Sequence, residues 1–239
     1  MAAKPITFLH LSDIHFRPQA TGLDMDGYLR TAIEADIPTL RATVGDITGV
    51  LVTGDIAHSG SPEEFRQAGD WLNKLCDLAG CRPDRVWTTP GNHDVDRAFV
   101  NSKMALGDFY AKVRKQGATH VDREINRALK DELGLRMIDG IGNYNDFAAR
   151  YDCAVSTETP CWQQDIALND GSTLKLWGLT STLISDENDH ESTGRLVARD
   201  SPRGGSSARL RTPIKFCVRW RAASTASISG GWTSTRGGG

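Results

Sequence analysis

Three short apolar runs along this chain each end at once in a turn rich in polar, metal-binding side chains. Ile6-Thr7-Phe8-Leu9-His10-Leu11 leads into Asp13-Ile14-His15, and Val50-Leu51-Val52-Thr53 leads into Gly54-Asp55. Val86-Trp87-Thr88-Thr89-Pro90 leads into Gly91-Asn92-His93-Asp94. Short apolar, β-branched runs closed by Gly, Asp or Asn read as buried strands ending in turns. Set side by side in one parallel sheet, three such strands bring their turns to a common carboxyl edge, where open α/β sheets hold ligands. Two carboxylates, two imidazoles and one amide would meet there, a donor set suited to divalent metals.

Asp13 and His15 lie two residues apart, so in an extended segment their side chains leave on the same side and can reach one ion. Asp55 follows a glycine, which lets the backbone turn sharply and present the carboxylate at the strand tip. A carboxylate can bridge two cations. Asn92 offers a neutral carbonyl oxygen, and His93 is left free to act on a substrate. Two ions ~3.5–4 Å apart can clamp a phosphate and activate a water for in-line attack. A neighbouring imidazole can then protonate the leaving oxygen, a step worth roughly 10²–10⁴-fold.

These motifs resemble the calcineurin-like metallophosphoesterase family, whose pattern is D-x-H, then G-D, then G-N-H-[DE], then two later histidine motifs. The likeness runs from about Ile6 to about Val197. Leu51 to Ala57 and Thr89 to Asp96 are similar to bacterial phosphohydrolases and cyclic-nucleotide phosphodiesterases of that family. The resemblance implies an α/β fold, an αββα four-layer sandwich of two mixed sheets packed face to face, with the second sheet incomplete here. It implies that Asp13 and His15 bind the first metal, Asp55 bridges, Asn92 binds the second, and His93 is the general acid, with Asn92 and His93 also meeting substrate. The implied cofactors are two divalent ions: manganese, iron or zinc. The implied reaction is metal-dependent hydrolysis of a phosphomonoester or phosphodiester by a water activated between the two ions, without a covalent enzyme intermediate. Phosphate-ester small molecules or nucleotides are the implied substrates.

Gly45-Asp46 is a decoy, since it precedes a strand rather than ending one, and is assigned to a loop. The departure from the family pattern lies further on. The family supplies three more imidazoles from a late strand and a Gly-His-x-His loop, whereas only His120 and His190 follow His93 here. The second ion is thus left with Asp55 and Asn92 alone and is expected to bind weakly. A catalytically impaired truncated product, or a phosphate-binding module without turnover, is therefore the alternative to an active enzyme.

After Asp200 there is no Asp or Glu, while Arg203, Arg209, Arg211, Lys215, Arg219, Arg221 and Arg236 are positive amid Gly and Ser. This divides the chain into a domain over 1–197, with a helical insertion at about 96–150, and a basic tail over 198–239 that is disordered or non-native. Our hypothesis for the shift is translation of a high-GC gene in the wrong frame from near Ala198. A native flexible tail touching nucleic acid or an acidic membrane is the other reading. Sequencing the gene decides it: without the missing histidine motifs in another frame downstream, the frame hypothesis fails.

The composition of the whole 239-residue chain, with net charge −2 and 39 % hydrophobic residues, fits one globular domain and gives no reason to expect nucleic-acid binding. No stretch approaches the ~20 apolar residues of a membrane span. Met1-Ala2-Ala3-Lys4-Pro5 lacks the apolar core of an export signal, so a cytoplasmic location is expected. Cys76, Cys81, Cys153, Cys161 and Cys217 are odd in number and scattered, as reduced cytosolic thiols are.

Met25 to Leu40 has Leu29, Ile33, Ile37 and Leu40 at helical spacing, with Asp24 or Asp26 as cap and Pro38 closing the helix near Asp36. At Ser61-Pro62-Glu63-Glu64 a helix starts: cap, first-turn proline, then acids on the positive end. Phe65, Ala68, Trp71, Leu72 and Leu75 form its core stripe. Helices are expected over Ala98–Lys115, Asp122–Leu133 and Asn143–Tyr151. The insertion's Arg123, Glu124, Arg127, Lys130 and Asp131 read as a solvated face, with a lid over the site as the alternative. Trp162–Leu168 and Leu174–Leu179, split by Asn169-Asp170-Gly171-Ser172, read as a hairpin. His10 is expected to be a satisfied core histidine, His58 an exposed loop residue that can approach phosphate, and His190 part of an exposed loop. Asp96 is assigned a structural role; Asp94 either orients His93 or holds the loop.

Overall fold

Parallel pairing of the three motif-bearing runs organises the fold. The computed structural model describes residues 6–17, 26–116, 118–187 and 216–221, with backbone only for 118–119 and 216–221. Strand β1 (Phe8–Leu11) pairs in parallel with β2 (Gly49–Val52), which pairs in parallel with β3 (Val86–Thr88). Leu9 sits opposite Val50, and Val50 opposite Val86, so the three turns emerge at one end, as the motif spacing implies. Val50 and Val52 are fully buried at the centre of the sheet. Gly49 has no room for a side chain: a Cβ there would lie 2.4 Å from the Trp87 ring.

Two helices complete the strand–helix–strand alternation: α1 (Gly27–Val44) and α2 (Pro62–Ala79). For α2 the signals hold. Ser61 is at the cap position, Pro62 opens the helix, and the Glu64 carboxylate reaches back to the Ser61 N–H at 3.0 Å. Phe65, Ala68, Trp71, Leu72 and Leu75 are all buried. Helix α1 departs from expectation in two ways. It runs on through Pro38, which is exposed. Leu29 and Leu40 of the expected stripe are exposed, and the helix packs through Ile37 and half-buried Ile33 instead. Asp26 stands at the cap position without a side-chain hydrogen bond, and Asp24 lies outside the described residues. Glu34 ties α1 to α2 by accepting from Trp71 Nε1 at 2.9 Å and Lys74 Nζ at 2.6 Å.

The insertion is five helices: α3 (Arg97–Asn101), α4 (Met104–Arg114), α5 (Ala118–Ala128), α6 (Glu132–Asp139) and α7 (Gly142–Ala148). The single helix expected over Ala98–Lys115 breaks at Ser102-Lys103, where the Ser102 hydroxyl caps the Phe99 carbonyl at 2.7 Å. Leu106, Tyr110, Val113, Ile125, Met137, Ile141 and Tyr144 are buried in the same core cluster as the parallel sheet. Arg123, Arg127, Lys130 and Asp131 are exposed, as a solvated face requires, whereas Glu124 is half-buried and accepts from Lys112 Nζ at 2.7 Å. The insertion is therefore part of the core, and Arg114 anchors it with a two-pronged ion pair to Asp186 at 2.6 and 2.7 Å. Cys76 and Cys153, both buried, and half-buried Cys81 are free thiols.

Beyond it, β4 (Cys161–Ala167) and β5 (Thr173–Leu179) form the expected hairpin, with Asp165 opposite Lys175 and their side chains paired at 2.7 Å. A third strand, β6 (Phe216–Arg221), adds antiparallel to β5. It lies within the 198–239 segment that composition sets apart. Among the described residues, each sheet has three strands, one wholly parallel and one wholly antiparallel, where mixed sheets were expected. Trp162 joins them, its Nε1 donating to the Thr88 carbonyl at 2.9 Å. Among the described residues, no helix is long and apolar enough to cross a membrane.

Candidate metal centre

Backbone pairing continues past the strand ends and zips the first two motif loops together. The Asp13 N–H donates to the Gly54 carbonyl at 3.2 Å, His15 N–H to Asp55 at 3.0 Å and Phe16 N–H to Ile56 at 2.8 Å. His58 N–H closes the ladder on the Phe16 carbonyl at 3.0 Å. Asp13 and His15 converge as foreseen, though not because the segment is extended. Asp13, His15 and Asp55 all lie in the left-handed backbone region, at φ 58°, 50° and 53°. Gly54 precedes Asp55 at φ 91°, so the glycine supplies the sharp turn assigned to it. Left-handed non-glycine residues cost of order 1 kcal/mol each and cluster where function demands them.

The third loop is stapled to the second by Asp94. Its carboxylate is fully buried and accepts from the Ala57 and Gly91 N–H groups, both at 2.7 Å. Asp94 thus holds the loop. Burial pushes its carboxyl up to about 7, against the backbone hydrogen bonds that favour the charged form. Asp55 Oδ1 accepts from the His93 N–H at 3.1 Å. Gly91 makes that approach possible, since a Cβ on it would fall 1.9 Å from Asp55 Oδ1. Asp96 accepts from the Phe99 N–H at 2.9 Å and caps α3, the structural role expected of it.

Ligand atoms of Asp13, His15 and Asp55 lie within 4.8 Å of one another, as do those of His15, His58 and His93. Asp55 is buried, His15, His58 and His93 are half-buried, and Asp13 is exposed. His15 Nδ1 is buried with no hydrogen-bond partner, an orphan that a cation would satisfy. Two carboxylates and an imidazole with ligand atoms this close fit a divalent ion. Asn92 stands beside His93 in the same turn, half-buried, one residue past Gly91.

His93 Nδ1 lies 2.9 Å from the His58 carbonyl. A carbonyl only accepts, so Nδ1 carries the proton and Nε2 is the exchangeable position. His58 is half-buried, where sequence reasoning had an exposed loop residue. Its signal was its place three residues past Asp55 on the same tight turn. Burial, then the charges of Arg17 and His93, hold its imidazole below the usual pKa. His10 is not a core residue. It is exposed on β1 and pairs with Thr53 Oγ1 at 2.9 Å. His120 is exposed on α5, and His190 lies outside the described residues. Gly45-Asp46 follows α1 as a loop, as assigned.

Comparison with known proteins agrees with this geometry. The sequence profile of the calcineurin-like phosphoesterase family matches residues 6–222. A metallophosphoesterase-like protein of Bacillus subtilis (strain 168), YydB, is 33 % identical over 99 residues, covering 41 % of this chain. That match spans 20 % of the relative's own length. The chain belongs to the calcineurin-like phosphoesterase family.

Proposed function

We propose that this chain is a metal-dependent phosphoesterase that hydrolyses a phosphomonoester or phosphodiester at a two-ion site. The observation that carries the reading is the convergence of ligand atoms of Asp13, His15 and Asp55 within 4.8 Å of one another, beside a buried His15 Nδ1 that has no hydrogen-bond partner. Asp13 and His15 would hold the first ion, Asp55 would be available to both, and Asn92 would offer its amide oxygen to the second. Divalent ions so held supply the positive charge that polarises a phosphate and makes water nucleophilic at neutral pH. Manganese, iron and zinc all accept this oxygen and imidazole set.

The chain's own residues do the rest. The buried Asp94 staple and the Asp55–His93 hydrogen bond fix the third loop against the second. His93, oriented by the His58 carbonyl, presents Nε2; protonated there, it donates to the leaving oxygen. Asn92 and His93 meet the substrate, taken to be a phosphate-ester small molecule or nucleotide. A cytoplasmic location fits the free thiols.

A second reading, a catalytically impaired or phosphate-binding chain, is favoured by one observation: only His120 and His190 follow His93, neither in a histidine motif. Mn²⁺-dependent hydrolysis of bis-p-nitrophenyl phosphate and p-nitrophenyl phosphate, with Asp55→Asn as control, decides between them. Turnover lost in the control supports the enzyme. A folded chain that binds Mn²⁺ without turnover supports the second reading.

A further inference from the structure

We propose that His15, His58 and His93 form a separate imidazole-only site for a zinc-class ion, which competes with the carboxylate site for His15 and takes His93 out of service as an acid. The first ground is geometric. Ligand atoms of the three rings lie within 4.8 Å of one another, with ring centroids 4.6 Å apart for His15–His93, 5.5 Å for His58–His93 and 6.1 Å for His15–His58. A tetrahedral zinc with Zn–N of ~2.0–2.1 Å spaces its ligands about 3.4 Å apart, so small ring movements close the set.

The second ground is orientation. Metal-bound histidines characteristically donate their other ring N–H to a backbone carbonyl or carboxylate, which fixes the tautomer. His93 already does so, through Nδ1 to the His58 carbonyl at 2.9 Å, leaving Nε2 for an ion. His15 Nδ1 is buried without a partner. The backbone carrying His15 and His58 is clamped on both sides of Phe16, by His15 N–H to Asp55 and His58 N–H to Phe16. The three rings are therefore held near one another by bonds that do not involve their own free nitrogens.

Chemistry separates the two sites. Asp13, Asp55 and the Asn92 amide are hard oxygen donors, suited to manganese or magnesium, whereas three neutral imidazoles suit zinc. His15 belongs to both sets. An ion on the imidazole set engages the Nε2 lone pair of His93, which then cannot hold the proton for a leaving group. Binding at this site stands on geometry alone, while its silencing effect rests on the phosphoesterase reading above.

The test titrates the metal-free 239-residue chain with Zn²⁺ by calorimetry, and with Co²⁺ as a probe whose visible absorption reports tetrahedral coordination. The expected result is one tetrahedral Co²⁺ displaced by Zn²⁺. His58→Ala should weaken Zn²⁺ at least about tenfold, whereas Asp13→Asn should change it little. Equal loss in both variants, or none in His58→Ala, overturns the site. Circular dichroism checks folding, and His58→Gln replaces the alanine variant if that one fails to fold. One equivalent of Zn²⁺ should also suppress Mn²⁺-supported turnover of the parent chain. Zinc bound at these histidines with turnover intact overturns the silencing. Absence of any Mn²⁺-supported turnover sinks the phosphoesterase reading and leaves the zinc titration to decide the site.

Discussion

The carboxylate of Asp55 accepts the amide hydrogen of His93 at 3.1 Å, so the residue proposed to be shared between two ions also positions the residue proposed as the acid. Asp55→Asn separates these roles. The amide retains an oxygen for the His93 N–H but loses the negative charge. Stability should therefore stay within about 1 kcal/mol of the parent, while Mn²⁺ affinity and turnover collapse. Urea unfolding and Mn²⁺ calorimetry on the same preparation check both halves.

Gly91 adjoins the same carboxylate, at an ordinary φ of −105°, so alanine there is free of backbone strain and wrong only in volume. Its Cβ would sit 1.9 Å from Asp55 Oδ1. Gly91→Ala should destabilise the chain by about 1–3 kcal/mol and weaken Mn²⁺ binding by displacing Asp55. Unchanged stability together with unchanged Mn²⁺ affinity would show that the loops can part without consequence.

His93→Ala should discriminate among leaving groups. A p-nitrophenolate leaves without help, whereas an alkoxide needs a proton. Turnover of an alkyl phosphate ester should fall by roughly 10²–10⁴-fold and that of the p-nitrophenyl ester much less. An equal fall on both substrates would remove His93 from the acid role.

Asp94 gives the fold a pH dependence. Burial raises its carboxyl from 3.8 to about 7, so the folded chain holds this proton more tightly than the unfolded chain does. The linked stability is full below pH 3.8 and is lost as pH rises through about 7. In Asp94→Asn that decline should disappear. Its amide also turns an N–H toward one of two backbone donors, which should lower stability by about 1–3 kcal/mol. Unfolding of the metal-free chain and the variant across pH 4 to 8 provides the check.

The strands and their loops were legible because each is a local pattern: an apolar run, then a turn. Ser61-Pro62-Glu63-Glu64 was legible for the same reason, since a capping signal acts within four residues. What escaped was set at longer range. Pro38 stays helical and exposed, and Leu29 and Leu40 are exposed because α1 leans on the core through Ile37. His58 joins the cluster because its loop pairs with Phe16, forty-odd residues earlier in the chain, a pairing that its spacing from Asp55 hints at but does not fix. Strand β6 arises in a stretch whose charge and Gly/Ser content suggest no order, because its register is set by β5.

The left-handed backbone of Asp13, His15 and Asp55 bears on how this chain would respond to selection for heat tolerance alone. Glycine adopts that conformation freely, so replacements at these three positions are among those a thermal screen has reason to reward. Each would remove a proposed ligand. A library ranked by melting temperature would thus erode the metal centre before it touched the core, and the hardiest survivors would be the emptiest.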